Sequence, residues 1–176
     1  MTIALIVIAV LAVLIYLSIR GGRKSPKGSS HITVGDFQAE VRYCRPSVRN
    51  RVIFGTKEEK ALLVYGKYWR LGANQATTVR FSHPVTLSGH AVPAGTYHLY
   101  AFPGKKEFEL RLNSTIRAWG SMKAKPETDL CSIKVPVTHL SEPVEQLTID
   151  FQNTDKLTLQ IRWADVQLEM PVVVND

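Results

Sequence analysis

Six side chains between residues 45 and 74 have the chemistry of a site for a small polar ligand. They are Arg45, Arg51, Tyr65, Trp69, Arg70 and Asn74. Arginine presents a planar fork that binds a carboxylate or a phosphate through two hydrogen bonds, and asparagine both donates and accepts. Tyrosine and tryptophan provide flat apolar walls on which a sugar or peptide ring packs. The residue types therefore predict a ligand-binding site made of these six residues.

A purely structural interpretation of the same residues is equally open. In that interpretation Trp69 belongs to the core, and Arg70 pairs with a buried acid such as Asp150. Asn74 then closes a turn after Gly72. Structural ion pairs produce the same sequence pattern as functional arginines, so the sequence alone leaves both interpretations standing.

Catalytic and metal-binding templates fail in this chain. Ser47 lacks the G-x-S-x-G elbow of a nucleophilic serine, and the glycines are scattered instead of forming a phosphate-binding loop. The five histidines show neither H-x-x-x-H nor H-E-x-x-H spacing. His90 and His98 flank a predicted hairpin and are expected to face each other, but a metal site needs a third ligand. We therefore predict no catalytic residue, no metal and no cofactor, and favour a binding protein over an enzyme.

The elements that must position these residues are β-strands. Apolar residues alternate with polar ones from residue 37 onward, which is typical of half-buried strands. The alternation predicts strands at 37–44, 77–82, 96–102, 108–113, 146–151, 157–163 and 166–174. Turn sequences such as Pro103-Gly104 separate them, and only residues 57–63 suggest a helical turn or two. Many short strands at this spacing predict one all-β domain, a single β-sandwich of jelly-roll-like type.

Four motifs occur in order around the predicted site. They are Y-x-R-P-S at 43–47, R-x-I-F-G at 51–55, W-R-x-G-A-N-x-A-T at 69–77 and P-A-G-x-Y at 93–97. In this order the motifs resemble those of the bacterial domain of unknown function 2911 family, and the resemblance covers about residues 37–175. It implies an all-β domain that is usually extracytoplasmic, and it implies no established activity.

An uncharged apolar run opens the chain. Residues 1–19 contain no charged side chain, and Arg20 ends the run. A helix needs about 17 to 25 apolar residues to cross a bilayer, so we predict a single transmembrane anchor at 1–19. The alternative is a cleaved signal peptide, but the run lacks a basic start and a small-residue cleavage site. The polar stretch at 20–30 is the predicted flexible linker, and 31–176 the sandwich domain.

Basic residues after the apolar run account for more than half of the net charge of +7. They are Arg20, Arg23, Lys24 and Lys27. Without residues 1–30 the chain keeps 18 basic against 15 acidic residues, so nucleic-acid binding is not expected. The four are expected to lie at anionic membrane lipid head groups. The positive-inside rule places the domain in the cytoplasm, whereas the family resemblance, which we weight slightly more, places it in an extracytoplasmic space such as the periplasm.

These patterns predict a membrane-tethered binding or interaction module of the cell envelope, whose ligand is a small molecule, a glycan or a protein. One alternative is a hydrolase or isomerase acting on envelope carbohydrate or peptide, in which Arg70 and Asn74 stabilise a developing negative charge. Another is a structural subunit that docks on a membrane assembly through a sheet face or edge. Cys44 and Cys131 either form one disulfide or stay free, and two buried free thiols are favoured slightly.

Overall fold

Two β-sheets packed face to face form the body of the protein. The computed structural model describes residues 11–13, 25–116 and 123–175. Residues 11–13 are helical, while the rest of the predicted anchor and the start of the predicted linker lie outside the described residues. In the described ranges, no helix is long and apolar enough to cross a membrane.

The described residues from 25 onward contain twelve strands and one short 3₁₀ helix at Pro126–Thr128. In chain order the strands are β1 (Lys27–Val34), β2 (Phe37–Cys44), β3 (Phe54–Gly55), β4 (Leu63–Val64), β5 (Thr77–Phe81), β6 (Val85–Leu87), β7 (His90–Val92), β8 (Gly95–Phe102), β9 (Glu107–Asn113), β10 (Asp129–Pro136), β11 (Thr138–Asn153) and β12 (Leu157–Val174). The larger sheet has the order β1-β2-β5-β8-β9-β10, and the smaller one the order β11-β12-β6-β7. β3 and β4 form a separate parallel pair.

The core lies between the two sheets and follows directly from the alternation. In β2, Phe37 and Val41 are buried while Gln38 and Arg42 are exposed, because successive side chains point to opposite faces of a strand. The inward residues of both sheets belong to one hydrophobic cluster. Each fully buried large apolar side chain contributes about 1.5 to 3 kcal/mol, so this cluster is the main stabilising term of the sandwich.

The predicted all-β, sandwich-like architecture is confirmed. The break predicted between residues 163 and 166 is a β-bulge within one strand. β12 runs through 157–174, where the sequence predicts two strands. Ala164 has a positive φ of 51°, and the pairing of β11 with β12 shifts register close to it. One inserted residue moves the buried positions of β12 from odd-numbered residues up to Trp163 to even-numbered ones from Val166. The alternation therefore changes phase without the strand ending.

β1 begins inside the stretch that the composition assigns to the linker. Residues 27–30 are strand residues and pair with residues 41–44 of β2. The backbone N–H of Arg45 also donates to the carbonyl of Pro26 at 2.8 Å. Ladder hydrogen bonds to β2 hold this segment in place, and Gly/Ser composition does not reveal such pairing.

Two further local predictions are wrong. Residues 57–60 form a turn, in which the N–H of Lys60 donates to the carbonyl of Lys57 at 3.0 Å, and not a helical segment. The predicted pairing of His90 with His98 also fails, because the turn at 88–89 joins β6 to β7 within the smaller sheet. His98 lies in the larger sheet, between Thr78 and Asn113.

The two cysteines are free thiols, as favoured from the sequence, but only Cys44 is fully buried and Cys131 is half-buried. Cys44 lies in β2 and Cys131 in β10, with three strands between them in the larger sheet. Four strand spacings separate them laterally by about 19 Å, whereas a disulfide requires Cα atoms less than about 7 Å apart. A bridge between them is therefore incompatible with this fold.

Candidate functional site

The segment around Trp69 runs beside β8 and continues the position of β5 in the larger sheet. The N–H of Trp69 donates to the carbonyl of Ala101, and the carbonyl of Trp69 accepts from the N–H of Ala101, both at 2.8 Å. Trp69 is only 3% exposed and belongs to the core cluster. Tyr68, next to it, packs its ring against Tyr100 and Phe102 at centroid distances of 5.1 and 6.1 Å. The ladder with β8 thus fixes the backbone from which Arg70 extends.

A cavity of about 390 Å³ opens beside this segment. Its lining includes Arg49, Arg51 and Arg70 but no carboxylate among the described residues. The apolar and amide side of the lining is formed by Leu62, Leu63, Tyr68, Trp69, Asn74 and Trp163. The volume lies in the range of small-molecule sites, and the charges of its arginines are not balanced within the lining. The cavity is therefore suited to an anion that carries an apolar or ring-shaped part.

Among the three arginines of the lining, Arg70 alone is both partly buried and without a described side-chain partner. Its side chain is half-buried and makes neither a hydrogen bond nor an ion pair with any described residue. Asp150, the acid considered as its structural partner, instead accepts from Arg162 Nη2 at 2.6 Å. The ion pair that the structural interpretation requires for Arg70 is thus absent from the described residues. Its guanidinium donors remain available to a ligand.

Arg51 both shapes the cavity and lines it. Its Nε donates to the carbonyl of Val48 at 2.9 Å, and its Nη2 donates to the carbonyl of Ser47 at 2.6 Å. These bonds fix the loop at one side of the cavity and leave Nη1 without a described acceptor. Arg49 is exposed, and its backbone N–H donates to Glu145 Oε1 at 3.1 Å. Arg49 was not among the residues predicted from the sequence.

Two of the six predicted residues do not reach the cavity. Arg45 donates from Nε to the carbonyl of Leu147 at 3.2 Å and from Nη2 to Thr148 Oγ1 at 3.3 Å, which ties the end of β2 to β11. Tyr65 also lies outside the lining, and burial, together with the negative charges of Glu59 and Asp165, raises the pKa of its phenol. The structure therefore brings together four of the six: Arg51, Trp69, Arg70 and Asn74.

Aromatic rings form the floor of the cavity. Trp69 stacks on Trp163 with centroids 5.9 Å apart and planes at 23°. Phe54 contacts both rings edge-on, at 5.5 and 5.9 Å. Trp69 is thus a core residue, as the structural interpretation expects, and a cavity residue at once. The sequence marks Trp163 as core through its alternation with Ile161, but gives no signal that it lies beside Trp69.

Backbone strain concentrates around the cavity. Seven non-glycine residues in the described ranges have positive φ, and four of them lie in the two segments that line it: Arg49, Asn50, Leu71 and Asn74. Gly72, between the last two, has a φ of +149°, and a Cβ there is expected 3.0 Å from the carbonyl oxygen of Cys44. Each such non-glycine conformation costs about 1 to 3 kcal/mol and is typical of functional sites. Such conformations persist only where surrounding contacts enforce them, so the arginine-bearing segments are held by their surroundings.

A buried polar network fixes Tyr100, on which the ring of the lining residue Tyr68 packs. The Asp129 carboxylate accepts from the Tyr100 hydroxyl at 2.6 and 2.8 Å, from Asn113 Nδ2 at 2.7 Å and from Arg111 Nη1 at 3.1 Å. Burial and this carboxylate raise the pKa of Tyr100, so its hydroxyl keeps its proton and donates. Burial likewise raises the pKa of Tyr68, which the Arg70 charge partly opposes. Tyr68 is therefore a neutral wall at neutral pH.

A larger depression of about 620 Å³ lies over β1, β2 and β5, away from these residues. Its lining includes Lys27 and Arg42, but Arg42 Nε donates to Glu40 Oε1 at 2.8 Å. This depression already contains a carboxylate that neutralises one of its cations. Lys27 is then the remaining cation there, whereas the smaller cavity has three arginines and no carboxylate among its described lining residues, which makes it the stronger candidate site.

The comparison with protein families identifies the group to which the chain belongs. The family model described as a protein of unknown function (DUF2911) matches residues 25–172. The chain belongs to this family. The match includes both sheets and every cavity residue, and it bears out the resemblance given by the four motifs. No curated protein and no solved structure matches the chain.

Proposed function

We propose that this member of the DUF2911 family is a binding module for a small organic anion. A carboxylate or phosphate group of the ligand is bound by Arg51 and Arg70, with Asn74 as a further polar contact. Its apolar part packs on Trp69 and the neighbouring leucines. The observation that carries the proposal is the half-buried Arg70, which lacks a described partner and lines a cavity without a described carboxylate.

The energetics of Arg70 favour a ligand over a structural role. A charge that is partly removed from water loses hydration, and proteins compensate by pairing it. Asp150, the acid considered from the sequence as its partner, is paired with Arg162. An anionic ligand supplies the missing partner through a bidentate contact, which lysine cannot form with the same geometry.

Binding is favoured over catalysis by the chemistry of the lining. The cavity contains no histidine, cysteine or carboxylate among the described residues that line it. Tyr68 is the titratable hydroxyl in the lining, and its raised pKa makes it a poor base. A hydrolase or isomerase requires an acid or base within hydrogen-bond reach of the substrate. The arginines bind and orient an anion without either.

The proposal retains the membrane anchor at residues 1–19 and a place in the bacterial cell envelope. Support for the anchor comes from its uncharged length and from the basic residues that follow it. The jelly-roll-like assignment is also part of the proposal. It is supported by the chain leaving the larger sheet after β5 and returning at β8 through the β6–β7 hairpin.

Calorimetric titration of the full-length protein in lipid nanodiscs tests the function. Acetate, monomethyl phosphate and glucose 6-phosphate are titrated into the wild type, Arg70→Lys and Arg80→Lys. Arg80 is exposed on β5 and lies outside the cavity, so Arg80→Lys is the matched control. We expect saturable binding of at least one anion, a loss of about tenfold or more in Arg70→Lys, and no change in the control. Binding that is equal in all three proteins, or absent from all, contradicts the proposal.

A further inference from the structure

The rim of the cavity contains apolar surface next to its arginines. Leu62 lines the cavity and is 45% exposed. Its N–H donates to the carbonyl of Val52 at 2.9 Å, and Val52 is 51% exposed. Single exposed aliphatic residues are ordinary, but these two are adjacent and lie beside a cationic cavity. Together they form an apolar lip, defined here as Val52 and Leu62.

The start of the domain lies at the same cavity. Ser25 belongs to the lining, and Pro26 is held by its hydrogen bond to the N–H of Arg45. Ser25 is the sixth residue after the end of the proposed anchor at residue 19, and a fully extended chain of six residue steps spans at most about 20 Å. With the anchor inserted, the cavity is therefore within about 20 Å of the hydrocarbon edge. The head-group layer itself is about 5 to 8 Å thick on each side.

We propose that the anion is the phosphate head of a membrane amphiphile, with its alkyl chain on the lip of Val52 and Leu62. This inference rests on the proposed function and adds the ligand class and its source. The arginines supply hydrogen bonds to the phosphate, the lip supplies apolar contact for the first methylenes, and the short tether limits the distance to the lipid. The anionic head and apolar chain of such a ligand match the two kinds of surface that meet at this cavity.

Alkyl chain length provides the first test. Inorganic phosphate, monomethyl phosphate and monobutyl phosphate are titrated into full-length protein in phosphatidylcholine nanodiscs, using the wild type and Leu62→Ser. Partial burial of the added methylenes is expected to make monobutyl phosphate bind about tenfold tighter than monomethyl phosphate. Leu62→Ser is expected to remove most of this preference, measured as the ratio of the monomethyl to the monobutyl phosphate dissociation constant within the same protein. Equal affinity for all three phosphates in the wild type overturns the inference but leaves the proposed function intact. Binding of none of them also overturns the inference, and the proposed function then depends on acetate, the carboxylate among its own probes.

The source of the phosphate provides the second test. Nanodiscs that contain phosphatidate present the head group at the membrane, so the lipid is expected to compete and to weaken monobutyl phosphate binding about tenfold. An anionic nanodisc also repels phosphate esters, and this repulsion does not depend on the lip. It therefore weakens monomethyl phosphate binding to Leu62→Ser as well, and this variant is the control for repulsion. A weakening that is equal in the wild type and in Leu62→Ser, or no weakening at all, identifies a free phosphate ester as the ligand and overturns the membrane source.

Discussion

Removal of the Asp129 carboxylate tests the network that supports the cavity wall. In Asp129→Ala the Tyr100 hydroxyl, on a residue only 1% exposed, loses its acceptor. A buried hydroxyl left unsatisfied costs about 1 to 3 kcal/mol. The charge-assisted bond from Asn113 adds about 1.5 kcal/mol, although its Nδ2 keeps a bond to the carbonyl of Lys125 at 2.7 Å. Arg111 contributes least, because it is partly exposed and retains Glu109.

These contributions together predict a loss of about 3 to 5 kcal/mol in the free energy of unfolding. For a domain of this size, each kcal/mol lowers the melting temperature by roughly 2 to 4 °C, so a decrease on the order of 10 °C is expected. Thermal unfolding followed by near-ultraviolet circular dichroism measures it. Asp165→Ala is the matched control, because its pair with His139 is largely exposed and is expected to matter by less than about 0.5 kcal/mol.

A second substitution separates the network from simple loss of packing. Tyr100→Phe removes the hydroxyl that Asp129→Ala leaves unsatisfied, so the double variant is expected to be more stable than Asp129→Ala alone. If the two losses simply add, or if Asp129→Ala melts within about 2 °C of the wild type, the assignment of Asp129 as the centre of the network is refuted.

Three further predictions follow from buried or strained positions. Burial lowers the pKa of His98, and the negative charge of Asp129 partly opposes this shift. The histidine of the unfolded chain therefore binds its proton first as pH falls. The contribution of His98 to stability is present above about pH 6.5 and declines below it. His98→Phe is expected to show a shallower decline in melting temperature between pH 6.5 and 4, and an unchanged decline assigns the acid sensitivity elsewhere. Gly72→Ala is expected to cost more stability than Gly66→Ala in denaturant titrations, because an added Cβ meets the Cys44 carbonyl at the first position and open space at the second; equal losses contradict this. Reducing agent is expected to leave the melting temperature unchanged, since Cys44 and Cys131 are free; a decrease indicates a disulfide.

The fold was predictable where the alternation reports burial directly. β2 and β9 alternate between a buried core face and a more accessible face, and the sequence places both strands within one residue of their observed ends. β1 was missed because its half-buried edge position requires little apolar content, and its pairing with β2 depends on register. The bulge at Ala164 was also missed, because a change of phase in the alternation looks the same whether the strand breaks or bulges.

The site was predictable in its residue types and less so in its members. Arg45 and Arg70 belong to equivalent-looking motifs, yet Arg45 is used between β2 and β11 while Arg70 remains free of described partners. The difference depends on residues about 80 to 100 positions further along the chain. Arg45 finds its acceptors in β11, whereas Asp150 is already paired with Arg162 and does not pair with Arg70. Long-range pairing of this kind leaves no local signal. The sequence does not reveal Trp163 as a cavity residue, because its contact with Trp69 is also long-range.

The proposed function requires that Arg70 binds a ligand and does not stabilise the fold. Two measurements on one sample of Arg70→Met test this requirement. The first is the melting temperature without ligand. The second is a titration with monomethyl phosphate, followed by the fluorescence of the tryptophans, two of which line the cavity. We predict an unchanged or higher melting temperature, because methionine fills the space of the arginine stem without an unpaired charge, together with loss of the saturable fluorescence change shown by the wild type. A melting temperature lowered by several degrees, with the fluorescence titration unchanged from the wild type, contradicts the proposed role of Arg70.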